Sequence, residues 1–356
     1  MSLISIKLEK RTAPPVWFQV LTPVIAIVIS LAISAIFLLI LGKNPFTAFY
    51  YMFYGAIGTK FAFLEMLVKA TPLILTGIAV AIAFTAKYWN IGAEGQLYAG
   101  ALAATWFGLM NLPLSPVIYI SLEILVGFLA GAIWSVVPGY LKAELKVDDV
   151  VTTLLMNYIM IYIVSALLNG PWRNPVTMYP SSIAISKNAF FPKLVPQSRL
   201  HIGFLIAIIA VLLMYFIVRK TKLGFEIRAT GANPRAANFL GINTTKSIII
   251  VSIISGGIAG LAGVSELCGV QYHLIQTISP GYGYSGIVIA MLGRLNPIGV
   301  FLSAIYFAIV ITGANVMSYS LNIPPYISDV IQGITLIVML AMLLLFEYRI
   351  KVGRSK

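Results

Sequence analysis

One cysteine in 356 residues leaves no partner for a disulfide within the chain and no cysteine-based metal site; Cys268 lies inside an apolar run. The two histidines, His201 and His273, stand at the ends of apolar runs and form no His-x-x-x-His pair, so no metal centre is expected from them. There is no G-x-x-x-x-G-K-[S/T] phosphate loop, hence no P-loop ATP site. Acids number only 11 and all charged residues together 10%, against 60% hydrophobic residues, a balance that a soluble domain cannot bury. The few acids inside apolar runs lie towards their ends, unlike the carboxylate relays of proton-driven carriers, which favours an external energy source. A net charge of +13 would suit nucleic-acid binding in a soluble protein, but these bases flank apolar runs, and nucleic acid is excluded.

What remains is an all-α, polytopic membrane protein of about ten spans in a lipid bilayer. The runs are Trp17–Gly42, Phe61–Phe84, the stretch ending at Leu109, Ser115–Leu141, Val150–Leu168, Ile202–Val218, Ser247–Val270, Ser285–Leu292, Ile298–Met317 and Ser328–Phe346. The first is too long for a signal-peptide core and reads as a retained helix, with Lys7, Lys10 and Arg11 before it and Pro14 and Pro15 at its start. Residues 45–58 are aromatic and suit an interfacial segment. Ten crossings put seventeen Lys and Arg inside and six outside, with Lys69 within a span, so both termini are expected in the cytoplasm. Residues 1–16 form a cytoplasmic segment, 17–349 the transmembrane domain and 350–356 a cytoplasmic tail. Within the domain, 170–200 is an external loop and 219–246 a cytoplasmic segment.

Residues 219–246 are a basic, polar interruption. Asn233 can cap a helix, Pro234 suits its first turn and Gly241 its left-handed exit, framing PRAANFL; an earlier start at Gly224 would add FEIRAT. The segment is either a loop held by its own caps or a docking element for a cytoplasmic partner. Glu65 and Lys69, four apart, are expected to pair on one helix face. Glu123 sits about two turns into its span, open to a functional role or to snorkelling.

Two Gly-rich breaks interrupt the apolar pattern, Asn90–Gln96 and Pro280–Gly286. Each follows a Gly- and Ala-containing span, TGIAVAIAF and GGIAGLAGV, and they fall on opposite sides of the membrane, so an inverted repeat is expected. Broken helices point to a substrate path, with Asn90, Glu94, Gln96, Tyr282 and Tyr284 as candidate contacts to a hydroxylated ring. Those side chains can equally serve to lock the breaks, and Asn90–Gln96 can also be read as a tight cytoplasmic turn.

Four ordered motifs, NIGAEGQLYAGA at Asn90, VDDVVTTLLMNYI at Val147, GFEIRATGANPRAANFLGI at Gly224 and SPGYGYSGIVIAMLGRLNPIG at Ser279, resemble the inner-membrane permeases of ABC importers for ribose, other simple sugars and nucleosides. The resemblance covers roughly residues 60–345, and the first and third motifs look most like the nucleoside branch. It implies a pore-forming subunit of the cell membrane that catalyses nothing and carries no cofactor, ATP being bound by a separate cytoplasmic ABC ATPase. A second permease subunit, usually a different chain, and an external substrate-binding protein are implied as well. In that family the Gly224–Ile242 match meets the ATPase, with Ala236, Ala237, Phe239 and Leu240 as packing surface, Asn233 and Pro234 framing the helix, and Arg228 and Arg235 as polar contacts. The alternatives are a simple-sugar permease and a nucleotide-independent secondary carrier.

Overall fold

The computed structural model describes residues 4–10, 16–324 and 326–354, and in them every long apolar run is a helix. Strand β1 (Ile4–Lys10) precedes α1 (Val16–Ile40), α2 (Pro45–Ile57), α3 (Lys60–Thr85), α4 (Ala93–Leu109), α5 (Pro116–Ala143) and α6 (Asp149–Asn169). After an irregular stretch come α7 (Gly203–Lys220), α8 (Lys222–Ala232), α9 (Pro234–Phe239) and α10 (Thr244–Glu266), the last continued by a π turn at Leu267–Gln271. Helices α11 (Tyr282–Leu292), α12 (Pro297–Leu321) and α13 (Ile327–Glu347) lead to strand β2 (Tyr348–Arg354). Arg11, Pro14, Pro15 and Lys356 lie outside the described residues.

Among the described residues seven helices are long and apolar enough to cross a membrane: α3, α5, α6, α7, α10 with its π turn, α12, and α1 from Leu21. The chain is a multi-pass membrane protein. The other three expected spans also fall on helices, α4, α11 and α13, of which Tyr282–Leu292 and Asp329–Met342 are shorter apolar segments.

Two compact units divide the chain, one holding the residues up to Gly55 and from Gly313, the other Ala56–Thr312. In the first, α1 packs on α13, where Thr335 Oγ1 donates to Ser30 Oγ at 3.1 Å, and α2 meets the end of α12 so closely that a Cβ on Gly313 would fall 1.9 Å from the Met52 carbonyl. The sequences flanking the membrane helices pair as an antiparallel ribbon, from Ile4 opposite Arg354 to Lys10 opposite Tyr348. Both ISIKLEK and YRIKVGR alternate apolar and polar residues, the period of a strand rather than a helix.

The second unit is built around α3 and α10, which are far more buried than α5 and α6. Helix α10 packs on α3, α4 and α5, while α11 packs on α3 and α4. Within a bilayer there is little hydrophobic drive between helices, so close backbone approach must supply the attraction. A Cβ on Gly100 of α4 would lie 2.2 Å from the Gly260 carbonyl, and one on Gly131 of α5 would lie 2.2 Å from that of Gly256. Gly131→Val is therefore expected to overpack this seam and destabilise the chain by roughly 1–3 kcal/mol. A clear drop in the thermal midpoint of the detergent-purified protein would register it, with Gly333→Ala, where the added carbon meets nothing within 4 Å, as the neutral control.

Candidate functional site

Helix α3 ends at Thr85 and α4 begins at Ala93, leaving backbone between them that no helix satisfies. The Asn90 amide organises this break. Its Nδ2 donates to Gln96 Oε1 (3.0 Å) and Ser255 Oγ (2.8 Å), and its Oδ1 accepts from Gln96 Nε2 (2.9 Å) and the Gly92 N–H (3.0 Å). Gln96 Nε2 reaches Ser135 Oγ at 3.2 Å, and Ser255 Oγ donates to the Ala79 carbonyl at 2.6 Å, so α3, α4, α5 and α10 share one network.

Helix α6 staples the outer side of the same break with residues spaced by four. Asp149 Oδ2 accepts the Trp89 N–H at 2.6 Å, and Thr153 Oγ1 accepts that of Ile91 at 3.1 Å. Asn157 takes the Gly95 N–H on Oδ1 (2.7 Å) and gives Nδ2 to the Ile91 carbonyl (2.9 Å). Asp149 is itself held by Lys142 at 2.7 Å. These partners were outside the expected site; their spacing in VDDVVTTLLMNYI was the signal available for them.

The second break, between the π turn and α11, is held differently. Ser279 Oγ accepts from the Gly281 and Tyr282 N–H groups at 3.2 and 3.0 Å, and Gly281 takes φ +96°. Glu94, in the first turn of α4, accepts the Gly283 N–H on Oε2 at 2.7 Å, so a carboxylate stands at the amino end of α11. The two broken helices thus begin against each other: a Cβ on Gly283 would lie 2.2 Å from the Glu94 nitrogen. Tyr98 Oη donates to the Gln276 carbonyl at 2.8 Å, and Thr76 Oγ1 to that of Tyr282 at 3.0 Å.

Of the five expected path residues, Asn90 and Gln96 are buried and bonded to each other, apart from Glu94, Tyr282 and Tyr284, which the Glu94–Gly283 contact gathers at the junction. Tyr282 is buried, and its hydroxyl accepts Lys69 Nζ at 3.1 Å. Tyr284 is half-buried, with its hydroxyl 3.4 Å from Asn157 Nδ2.

At the Lys60 end of α3 the expected Glu65–Lys69 pair is replaced. Glu65 binds Arg199, whose Nε lies 3.1 and 3.0 Å from the two carboxylate oxygens and whose Nη2 bonds the same group. A planar guanidinium fits a carboxylate with two donors, which a lysine four residues along the helix cannot match, and Lys69 turns to Tyr282 instead. Glu123 is not at a surface: it is fully buried, and among the described residues neither oxygen meets a hydrogen-bond donor.

In the 219–246 segment Asn233 Oδ1 accepts from the Arg235 and Ala236 N–H groups (3.0 and 3.2 Å), Pro234 opens α9, and Gly241 exits at φ +80°. The preceding α8 starts at Lys222 under a Thr221 cap, two residues before Gly224; that glycine serves close approach, since a Cβ there would lie 2.1 Å from the Ile217 carbonyl. Ala237 is buried against the chain itself, whereas Arg228, Arg235 and Ala236 are exposed, Phe239 is 92% exposed and Leu240 71%. Gly231, near the end of α8, abuts the last turn of α3: a Cβ on it would lie 2.0 Å from the Thr85 carbonyl.

Two broken helices meeting within a multi-pass bundle are a construction common in membrane transporters. The chain belongs to the family described as branched-chain amino acid transport system / permease component, matched over residues 62–340. Among its relatives, the glucose ABC transporter permease protein TsgB13 of Haloferax volcanii is 33% identical over 98% of this chain and 94% of its own. The nucleoside ABC transporter permease protein NupB of Lactococcus lactis is 35% identical over 88% of this chain and 89% of its own, and the guanosine ABC transporter permease protein NupP of Bacillus subtilis 34% over 90% and 92%. No solved structure matches.

Two outcomes follow from this geometry. Asn90→Ala leaves Gln96, Ser255 and the Gly92 N–H short of a buried partner and is expected to destabilise the chain by about 1–3 kcal/mol, read as a lowered thermal midpoint; an unchanged midpoint would mean that the network does not hold the break. Burial pushes His201, in the stretch before α7, from 6.5 down to about 4. The unfolded chain therefore binds the proton more readily, and stability present above pH 6.5 is lost as pH falls towards 4. His201→Gln should flatten that limb of a stability profile between pH 7 and 4.

Proposed function

We propose that this chain is the pore-forming permease subunit of an ATP-driven ABC importer for nucleosides in the cell membrane, working with a cytoplasmic ATPase, a second permease subunit of different sequence and an external substrate-binding protein. It catalyses no reaction and has no ATP site or other cofactor of its own. All ten membrane helices cross, both termini are cytoplasmic, and α3–α4 and α10–α11 are inverted counterparts. The pairing of β1 with β2 supports an even number of crossings, since it holds the two ends of the chain side by side. Reciprocal packing, α3 on α11 and α10 on α4, supports the inversion.

The observation that carries the ATP-driven reading is one line of contact. Exposed Phe239 and Leu240 on α9 offer a partner an apolar grip, α9 follows α8 directly, and Gly231 of α8 abuts Thr85 where α3 stops and the first break begins. A partner that binds α9 differently in its ATP-bound and ATP-free states would shift the break with it. Arg228 and Arg235 supply polar contacts on the same segment. Glu94, Tyr282 and Tyr284 are the path residues, and Asn90 with Gln96 holds the path's frame.

The relatives support nucleosides as cargo, two of the three being nucleoside permeases by name. The glucose permease, which aligns over nearly the whole chain, favours a simple sugar as the second reading. The test is to purify the tagged chain in mild detergent, identify its stoichiometric companions and measure uptake of labelled guanosine with and without excess ribose. An ATPase and a second permease should co-purify, and ribose should not compete; purification alone, with uptake indifferent to ATP depletion, would overturn the proposal in favour of a secondary carrier. Phe239→Asp, at a residue that touches little of its own chain, is expected to leave membrane levels unchanged and cut uptake by about ten-fold, equivalent to ~1.4 kcal/mol of lost coupling.

A further inference from the structure

Helix α6 has 21 residues, about 30 Å at 1.5 Å per residue, the thickness of a bilayer's hydrocarbon core. Tyrosine in a span belongs at the interfaces, where its hydroxyl finds water. Tyr158 lies beside the midpoint of α6 and Tyr162 one turn further, yet they are 49% and 70% exposed on the chain. They begin a polar stripe at helical spacing, Tyr158, Tyr162, Ser165 and Asn169. In hydrocarbon each hydroxyl would lack a partner, which is costly, so the stripe must face water or polar groups.

Its neighbours say which. Ser165 Oγ accepts Gln276 Nε2 at 2.7 Å, and Asn169 Nδ2 donates to the Ser165 carbonyl at 2.8 Å. Asn157, the residue before Tyr158, gives its Nδ2 to the Tyr284 hydroxyl at 3.4 Å. The stripe therefore runs alongside the second break, from the start of α11 to Gln276. From Val150 to Asn169 there is no charged side chain, which suits a neutral solute and repels nothing.

We propose that the Tyr158–Tyr162–Ser165–Asn169 stripe, with Tyr284 and Gln276, is a wall of the transport path that holds an uncharged nucleoside, the base lying on the tyrosine rings and the sugar hydroxyls meeting the Ser165, Asn169 and Gln276 side chains. This rests on the nucleoside-importer reading. It deepens that reading by assigning cargo contacts to α6 and by excluding phosphorylated nucleosides, for which the wall has no cation.

The test uses the assembled transporter in reconstituted vesicles, with Cys268→Ser removing the native thiol and Tyr162→Cys introducing a reporter. A membrane-impermeant methanethiosulfonate reagent should modify position 162 from the aqueous phase, and excess guanosine, but not guanosine 5′-phosphate, should slow the reaction. In parallel, Tyr158→Ala and Tyr162→Ala should raise the KM for guanosine about ten-fold, as expected for one lost base–aromatic contact. The Tyr→Phe variants, which keep the ring, should stay within about two-fold of the parent. No modification from either side in a complex that still imports would overturn the proposal, as would loss of the second permease from the Tyr162→Ala complex, which would make the stripe a subunit interface. If the parent imports ribose but no nucleoside, the function assigned above fails on its own and takes the base contact with it, while modification at position 162 still decides whether α6 lines the path.

Discussion

The structure depends on one constraint: inside a bilayer, every backbone N–H and C=O must find its partner within the protein. The helices of the second unit are nevertheless interrupted twice, between α3 and α4 and between the π turn and α11. The chain reconciles the two by surrounding each interruption with short polar side chains. Asn90, with donor and acceptor on one rigid amide, ties its own break to Gln96 and Ser255, and Asp149, Thr153 and Asn157 take up the groups that the missing helical turn frees. Glycine does the complementary work, letting α4, α5 and α10 close until carbonyls face bare backbone.

The two breaks are not held equally. The first is bonded by side chains from α4, α5, α6 and α10 and is therefore a rigid joint, placed where α8 presses on the end of α3. The second has its own Ser279 cap, the Glu94 carboxylate from across the junction, and bonds from Thr76 and Lys69 of α3, Tyr98 of α4 and Asn157 of α6. At the junction itself the starts of α4 and α11 are joined by the Glu94–Gly283 bond and by close backbone contact.

Much of this was legible in the sequence, because the signals were local or periodic. Ten apolar runs became helices, Asn233, Pro234 and Gly241 framed α9 as cap, first turn and exit, and both Gly-rich stretches straddle a break and the start of the helix after it, α4 from Ala93 and α11 from Tyr282. What was not legible depends on partners distant in the chain. Glu65 and Lys69 satisfied the local rule for an ion pair, but Arg199, 134 residues away, offers a better fit and redirects both. Glu123 sits at a depth that its position in the run did not convey. Asp149, Thr153 and Asn157 show their spacing plainly, yet only the folded chain reveals that the break beside Asn90 is what they face.

Charge distribution completes the division of labour. Around Asn90 the polar groups are amides and hydroxyls, which bond one another and the backbone without the desolvation cost of a charge. Two salt bridges stand at the ends of α3, Glu65 with Arg199 at its start and Lys142 with Asp149 beside its end. Glu94, Glu123 and Glu266 are buried acids within α4, α5 and α10; the amino end of α11 accounts for Glu94, which takes the Gly283 N–H there, whereas Glu123 meets no donor among the described residues.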